Sequence, residues 1–178
     1  QQRSSAASDV YKRQTMAIQS CNLSCVGCTN YSDLIHKGYV SWNSIENDLK
    51  EWLEVIDIED FGIMGGEPLL NPEIEQWIIG IRKLLPNSRI RFTTNGLKLH
   101  KNFHLVDLMH KLGNFSFKIT AHKNTTELQK TIEKILKSYD WKPVAEFGID
   151  RLITTNDLDS MSNPPARSIK RLKVHTMI

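Results

Sequence analysis

The chain has 178 residues, 40% of them hydrophobic and 24% charged, with a formal charge of +3. That is enough to bury one substantial core and too little for two. It contains no run of eighteen apolar residues and no secretory-signal order at its start, so the composition points to a cytoplasmic protein that does not span a membrane.

Residues 1–14, "QQRSSAASDVYKRQ", are polar and without period, and resemble a translated adaptor more than a natural leader. They are read as a non-native or disordered leader. Without Arg3, Lys12, Arg13 and Asp9 the charge falls to +1, too little to predict a nucleic-acid partner.

From there short apolar runs alternate with amphipathic ones, the order of an α/β fold. "TMAIQS" (15–20) is a strand leading into a cysteine-rich loop. Ser41 can cap a helix whose stripe is Ile45, Leu49, Trp52, Leu53 and Ile56. "DFGIM" (60–64) is a second strand, broken by Gly65-Gly66. Asn71 with Pro72 reads as the start of a helix that buries Ile74, Trp77, Ile78, Ile81 and Leu85. "RIRFTTN" (89–95) is a third strand. The helix after it carries Leu105, Leu108, Met109 and Leu112 and stops at Gly113. "FSFKITAH" (115–122) is a fourth, and "NTTE" (124–127) has capping-box spacing ahead of Leu128, Ile132, Ile135, Leu136 and Tyr139. A fifth strand is expected within 144–155. The C-terminal "NPPARSIKRLKVHTMI" is read as a solvated helix face, a frayed tail or the point where a longer chain was cut.

Side chains alternate along a strand. Phe115, Phe117, Ile119 and Ala121 therefore share one face, and Ser116, Lys118, Thr120 and His122 the other. Ile90 and Phe92 are divided in the same way from Arg91, Thr93 and Asn95. Helices must cover the apolar face, and the polar one suits the inside of a barrel that holds a polar ligand. An edge strand with a wet face is the competing explanation.

"CNLSCVGC" holds all three cysteines, Cys21, Cys25 and Cys28. Their spacing would close only tiny disulfide loops, whereas on one loop it brings three thiolates to a single inorganic object. A structural zinc wants four ligands, so a zinc site completed by a histidine such as His36 is a second reading. Buried inert cysteines are a third, although Asn22, Ser24 and Gly27 suit a buried helix poorly. The other constellation is "GGEP", Gly65, Gly66, Glu67 and Pro68, at the C-terminal end of the second strand. Its glycines admit a ligand close to the backbone and its glutamate adds a carboxylate.

Cys-x3-Cys-x2-Cys after the first strand, GGEP after the second and "TTNG" (93–96) after the third resemble the radical S-adenosylmethionine enzymes in order and spacing over residues 15–155. The resemblance implies a partial, TIM-barrel-like (β/α) barrel of about five to six parallel strands. It implies that Cys21, Cys25 and Cys28 bind a four-iron four-sulfur cluster, leaving one iron for the amino and carboxylate groups of S-adenosylmethionine. Reduction then yields a 5′-deoxyadenosyl radical that abstracts hydrogen from a substrate the sequence does not name. By the same likeness Gly65, Gly66, Glu67 and Pro68 receive the methionine ammonium, Thr93 and Asn95 line the strand end, and Thr120 or His122 meets the ribose. Gly27 stands where the family has an aromatic residue against adenine, a contact for which Tyr31 can substitute. His100, His104 and His110 are read as surface or core residues. An external reductant such as flavodoxin or ferredoxin is implied, with no nucleic-acid or membrane partner. Residues 156–178 are read as an extension or a truncated segment, so that cofactor cleavage without controlled substrate chemistry is expected. A non-catalytic iron–sulfur or zinc protein is the alternative from another class.

Overall fold

The computed structural model describes residues 11–25, 28–32, 34–120, 126–139, 142–146 and 171–175, with backbone alone for Tyr11 and for the last two segments. In chain order the elements are β1 (Tyr11–Ile18), α1 (Trp42–Leu53), β2 (Ile58–Gly65), α2 (Ile74–Leu84), β3 (Arg89–Thr94), α3 (Phe103–Leu112), β4 (Phe115–Ile119), α4 (Thr126–Tyr139), β5 (Lys142–Glu146) and β6 (Arg171–His175). They form one six-stranded sheet of order β1-β2-β3-β4-β6-β5. The first four strands are parallel. β6 runs antiparallel to both β4 and β5, so β5 points the same way as the first four.

The expected fifth strand is thus present, at 142–146, but an opposed strand separates it from the fourth. The basic C-terminal run supplies that opposed strand. "RLKVH" alternates polar and apolar residues, a period of two that outweighs any helical reading of its charge. β4 is consequently an interior strand, and the wet-edge explanation of its polar face falls. β1 begins at Tyr11, not within 15–20, so residues 11–14, set aside as leader, pair with β2 through Lys12↔Asp60 and Gln14↔Gly62. Their side chains give no apolar signal, but the open edge of β2 supplies backbone partners all the same. The leader up to residue 10, the capping-box residue Asn124 and the stretch 147–155 lie outside the described residues.

The core is the apolar side of this sheet pressed against the helices. Phe61, Ile63, Ile90, Phe92, Phe115, Phe117 and Ile119 are buried together with Leu49, Trp77, Ile78, Ile81, Leu105, Val106, Met109, Leu128 and Ile135. The helices start and stop where the local chemistry dictates. Ser41 Oγ accepts the Ser44 N–H at 3.4 Å ahead of α1, and Gly113, at φ 69, closes α3. Asn71 does not cap α2 directly. Its Oδ1 accepts the Glu73 N–H at 2.8 Å one turn earlier, and its Nδ2 donates to Ala17 O at 2.7 Å and Val40 O at 3.2 Å, tying α2 to the end of β1.

The opposite face is polar, as the alternation predicts. Asp60 is 2% exposed and pairs with both Arg89 and Arg91, the latter at 3.1 Å. Ser116, Lys118 and Thr93 continue that face by register. Among the described residues no helix is long and apolar enough to cross a membrane.

Phe92 is fully buried, with its ring 5.7 Å from that of Phe117 at the centre of the apolar layer. Phe92→Ala is expected to cost about 3–5 kcal/mol of unfolding free energy. Urea denaturation checks this, and a loss under 1 kcal/mol would contradict the packing described.

Candidate functional site

Because β1–β4 are parallel, the segments that follow them all emerge at one rim of the sheet. The cysteine loop follows β1, "GEP" follows β2, "NG" follows β3 and Thr120 follows β4. Adjacent hydrogen bonds turn this shared position into one structure.

The cysteine loop is closed at its base. Gln19 N–H donates to Gly38 O at 3.0 Å, and Gly38 N–H to Ser20 Oγ at 3.1 Å. Inside the loop Cys28 N–H donates to Cys25 O at 3.2 Å and Tyr31 N–H to Cys28 O at 3.0 Å. All three cysteines are free thiols of intermediate exposure. Burial pushes the Cys21 thiol up, a backbone bond at Leu23 pulls it down, and the charges of Glu67 and Cys28 push it up again. Such thiolates repel one another until a cation is bound between them, and a coordinated thiol loses its proton outright. Among the described residues no three His, Cys, Asp or Glu side chains converge tightly enough for a single ion, His36 included.

The glycine pair lies directly against this loop. Gly66 N–H donates to Ile18 O at 2.8 Å and Glu67 N–H to Ser20 O at 3.0 Å, while Asn30, just past Cys28, gives its Nδ2 to Gly65 O at 2.6 Å. A Cβ on Gly65, at φ 158, would come within 2.4 Å of Ile18 O, and one on Gly66 within 2.2 Å of Ser20 O. Both positions demand glycine because the tail of β1 runs where a side chain would go. Pro68 is buried and opens a one-turn 3-10 helix, Pro68–Leu70.

Glu67 differs from its sequence reading. The residue is 0% exposed, and its carboxylate is taken up by the protein itself. Oε1 accepts from Leu69 N at 3.1 Å and from Thr94 Oγ1 at 2.6 Å, and Oε2 accepts from Asn95 N at 2.8 Å. The carboxylate expected to face an ammonium instead fastens the end of β2 to the end of β3. Burial pushes its acidity toward weaker, against the pull of Thr94, Asn95 and Leu69. Among the described residues the free acceptor in this loop is the Gly66 carbonyl, since Gly65 O takes Asn30 and Glu67 O takes Leu70 N.

Asn95 is 6% exposed, and its Nδ2 donates to Asn22 Oδ1 at 2.8 Å beside Cys21. Thr93 and Thr120 are partly exposed. Tyr31 is 61% exposed at φ 51, and His104 and His110 lie at the surface. His100 stands 3.7 Å from Glu127, away from the cysteines. Gly27 and His122 lie outside the described residues. Sequence reasoning missed Asn22, Asn30 and Thr94. Thr94 had a signal, since it is polar on the face that otherwise reads Ile90, Phe92.

A family model described as the radical SAM superfamily matches residues 17–148. No curated protein matches the chain. Among solved structures the chain is similar to BtrN, crystallised in complex with AdoMet and 2-DOIA, at 20% identity and TM-score 0.57 over 70% of this chain and 51% of that one. It is also similar to Streptococcus suis SuiB, at TM-score 0.44 in both crystals, with 13% identity when bound to precursor peptide SuiA and 15% when bound to S-adenosylmethionine. Those matches cover 71% of this chain and 36% and 38% of SuiB. The chain therefore spans about half the length of BtrN. The likeness to BtrN is one of fold, an α/β partial barrel.

Two outcomes follow from the packing of the GGEP loop. Gly66→Ala has to displace the Ser20 carbonyl and is expected to cost about 1–3 kcal/mol in urea unfolding. For Glu67 the weakened acidity means that the folded chain holds this proton to higher pH than the unfolded chain. Its contribution is therefore full below the ordinary carboxylate value of 4.5 and is lost as pH rises through the raised one. Glu67→Gln should flatten that part of the stability–pH curve of the cofactor-free protein while lowering stability by about 1–3 kcal/mol, because its amide meets the Asn95 N–H.

Proposed function

The chain belongs to the radical SAM superfamily, and from that premise we propose that Cys21, Cys25 and Cys28 hold a four-iron four-sulfur cluster beside a binding loop for S-adenosylmethionine. When bound and reduced, that pair supplies a 5′-deoxyadenosyl radical for hydrogen abstraction.

The observation that carries this reading is the stitching of the cysteine loop to the glycine pair, through Gly66 N to Ile18 O, Glu67 N to Ser20 O and Asn30 Nδ2 to Gly65 O. A protein that used its thiols for structure alone would gain nothing from a glycine pair fastened to the cysteine loop at these points. The Gly66 carbonyl is the group suited to accept from the cofactor's ammonium, a charge-assisted bond. Glu67 acts one step back, holding the loop that carries this carbonyl. Thr93 and Thr120, on the polar face at the same rim, are suited to the cofactor's sugar or to substrate. The polar face below them, with the partly exposed Arg91, offers a hydrogen-bond donor to a polar substrate inside the partial barrel. We further propose a core unit that extends the expected 15–155 by the sheet segments 11–14 and 171–175, a cytoplasmic location and a flavodoxin or ferredoxin as electron donor.

The test is anaerobic reconstitution followed by dithionite reduction with S-adenosylmethionine. About four irons per chain and formation of 5′-deoxyadenosine are expected. Cys21→Ala, Cys25→Ala and Cys28→Ala should each abolish both. Stoichiometric zinc with no iron uptake would overturn the proposal.

A further inference from the structure

Asn95 stands at the end of β3, across the rim from the cysteine loop, and its backbone N–H and both polar atoms of its side chain have assigned tasks. Its N–H donates to Glu67 Oε2 at 2.8 Å. Its Oδ1 accepts the Leu97 N–H at 3.0 Å. That bond fixes the amide orientation, because the reverse placement would set NH2 against N–H. Nδ2 therefore faces the cysteine loop. It donates to Asn22 Oδ1 at 2.8 Å and approaches Cys21 Sγ at 3.9 Å. Cys21 Sγ lies 3.9 Å from the same Asn22 oxygen. The three groups form a small triangle in which Asn22 Oδ1 and Cys21 Sγ both stand near the same amide nitrogen, the oxygen the closer.

Resting on the cluster reading above, we propose that Asn95 is a positioning residue for the Cys21 ligand and raises the reduction potential of the cluster that Cys21 helps to hold. A hydrogen bond to a ligand sulfur draws electron density from it and favours the more negative, reduced state. The sulfur of a metal-bound cysteine is a stronger acceptor than a neutral thiol, so the Nδ2 contact, long in the free thiol, strengthens when the ligand is charged. The buried Glu67 carboxylate sets the amide's position by holding the Asn95 backbone. The two residues thus transmit the geometry of the glycine loop to the cysteine loop. Asn22 competes with the sulfur for the same donor and sets an upper bound on the effect.

The competition gives the experiment two arms of opposite sign. Asn95→Asp keeps the shape and the acceptor for Leu97 but turns an oxygen toward Asn22 and Cys21. Its midpoint potential, from a dithionite titration followed by electron paramagnetic resonance, should fall below wild type, with a lower iron content at limiting iron. Asn22→Ala, at an exposed position that carries no risk to folding, frees the amide for the sulfur and should raise the midpoint. A potential unchanged in either variant overturns the Asn95 proposal and leaves the cluster reading standing. A wild-type chain that takes up no iron overturns both.

Discussion

The site depends on one buried carboxylate. Glu67 lies out of water with three donors directed at its two oxygens, from Leu69, Thr94 and Asn95. Desolvating a carboxylate is costly, and the three bonds offset part of that cost while burial still leaves the group a weaker acid. Because the donors come from the helix start after β2 and from the end of β3, satisfying the charge fixes those two segments relative to each other. The backbone N–H of the same residue binds Ser20 O and brings the end of β1 into register. Three strand ends are thereby set at one rim by a side chain that need not touch a ligand.

The sheet below that rim is divided by chemistry. Among the described residues the core helices pack on the apolar face, and alternate residues of β2–β4 sort into an apolar layer of Phe and Ile and a polar layer with Asp60, Arg89, Arg91 and Lys118. Asp60 is buried yet shared by two guanidinium partners, so its single charge offsets part of the repulsion between them on the polar face. The resulting surface is preorganised for polar contacts while the stabilising burial happens on the other side.

How much of this was legible in the sequence varied with the kind of signal. The helices and the interiors of β2, β3 and β4 follow from periodicity, because burial on one face leaves a period of two or of 3.6 in the apolar residues. The start of β1 did not, since Lys12 and Gln14 join the sheet through backbone bonds that leave no apolar trace. β6 carries a period of two in "RLKVH", but its charge drew the reading toward a solvated helix. In the site the three cysteines and the glycine pair were legible from spacing and from what glycine alone permits. The inward turn of Glu67 was not, because whether a carboxylate meets a ligand or its own fold depends on which donors the next strand end provides. Thr94 and Asn95 provide them, twenty-seven and twenty-eight positions further along.

The place of β6 in the sheet bears on how the chain reaches its fold. β1 to β4 pair with neighbours one β–α unit away, contacts that close with short loops and can form while the chain is still being made. β5 has no such partner, since the strand it binds is β6, residues 171–175, which also pairs with β4 across more than fifty intervening positions. Until those residues are available, the outer edge of β4 is a row of unpaired backbone groups, open to any extended segment that arrives first. The order of assembly thus leaves the slowest closure, and the window for mispairing, at the edge of the sheet farthest from the cysteine loop.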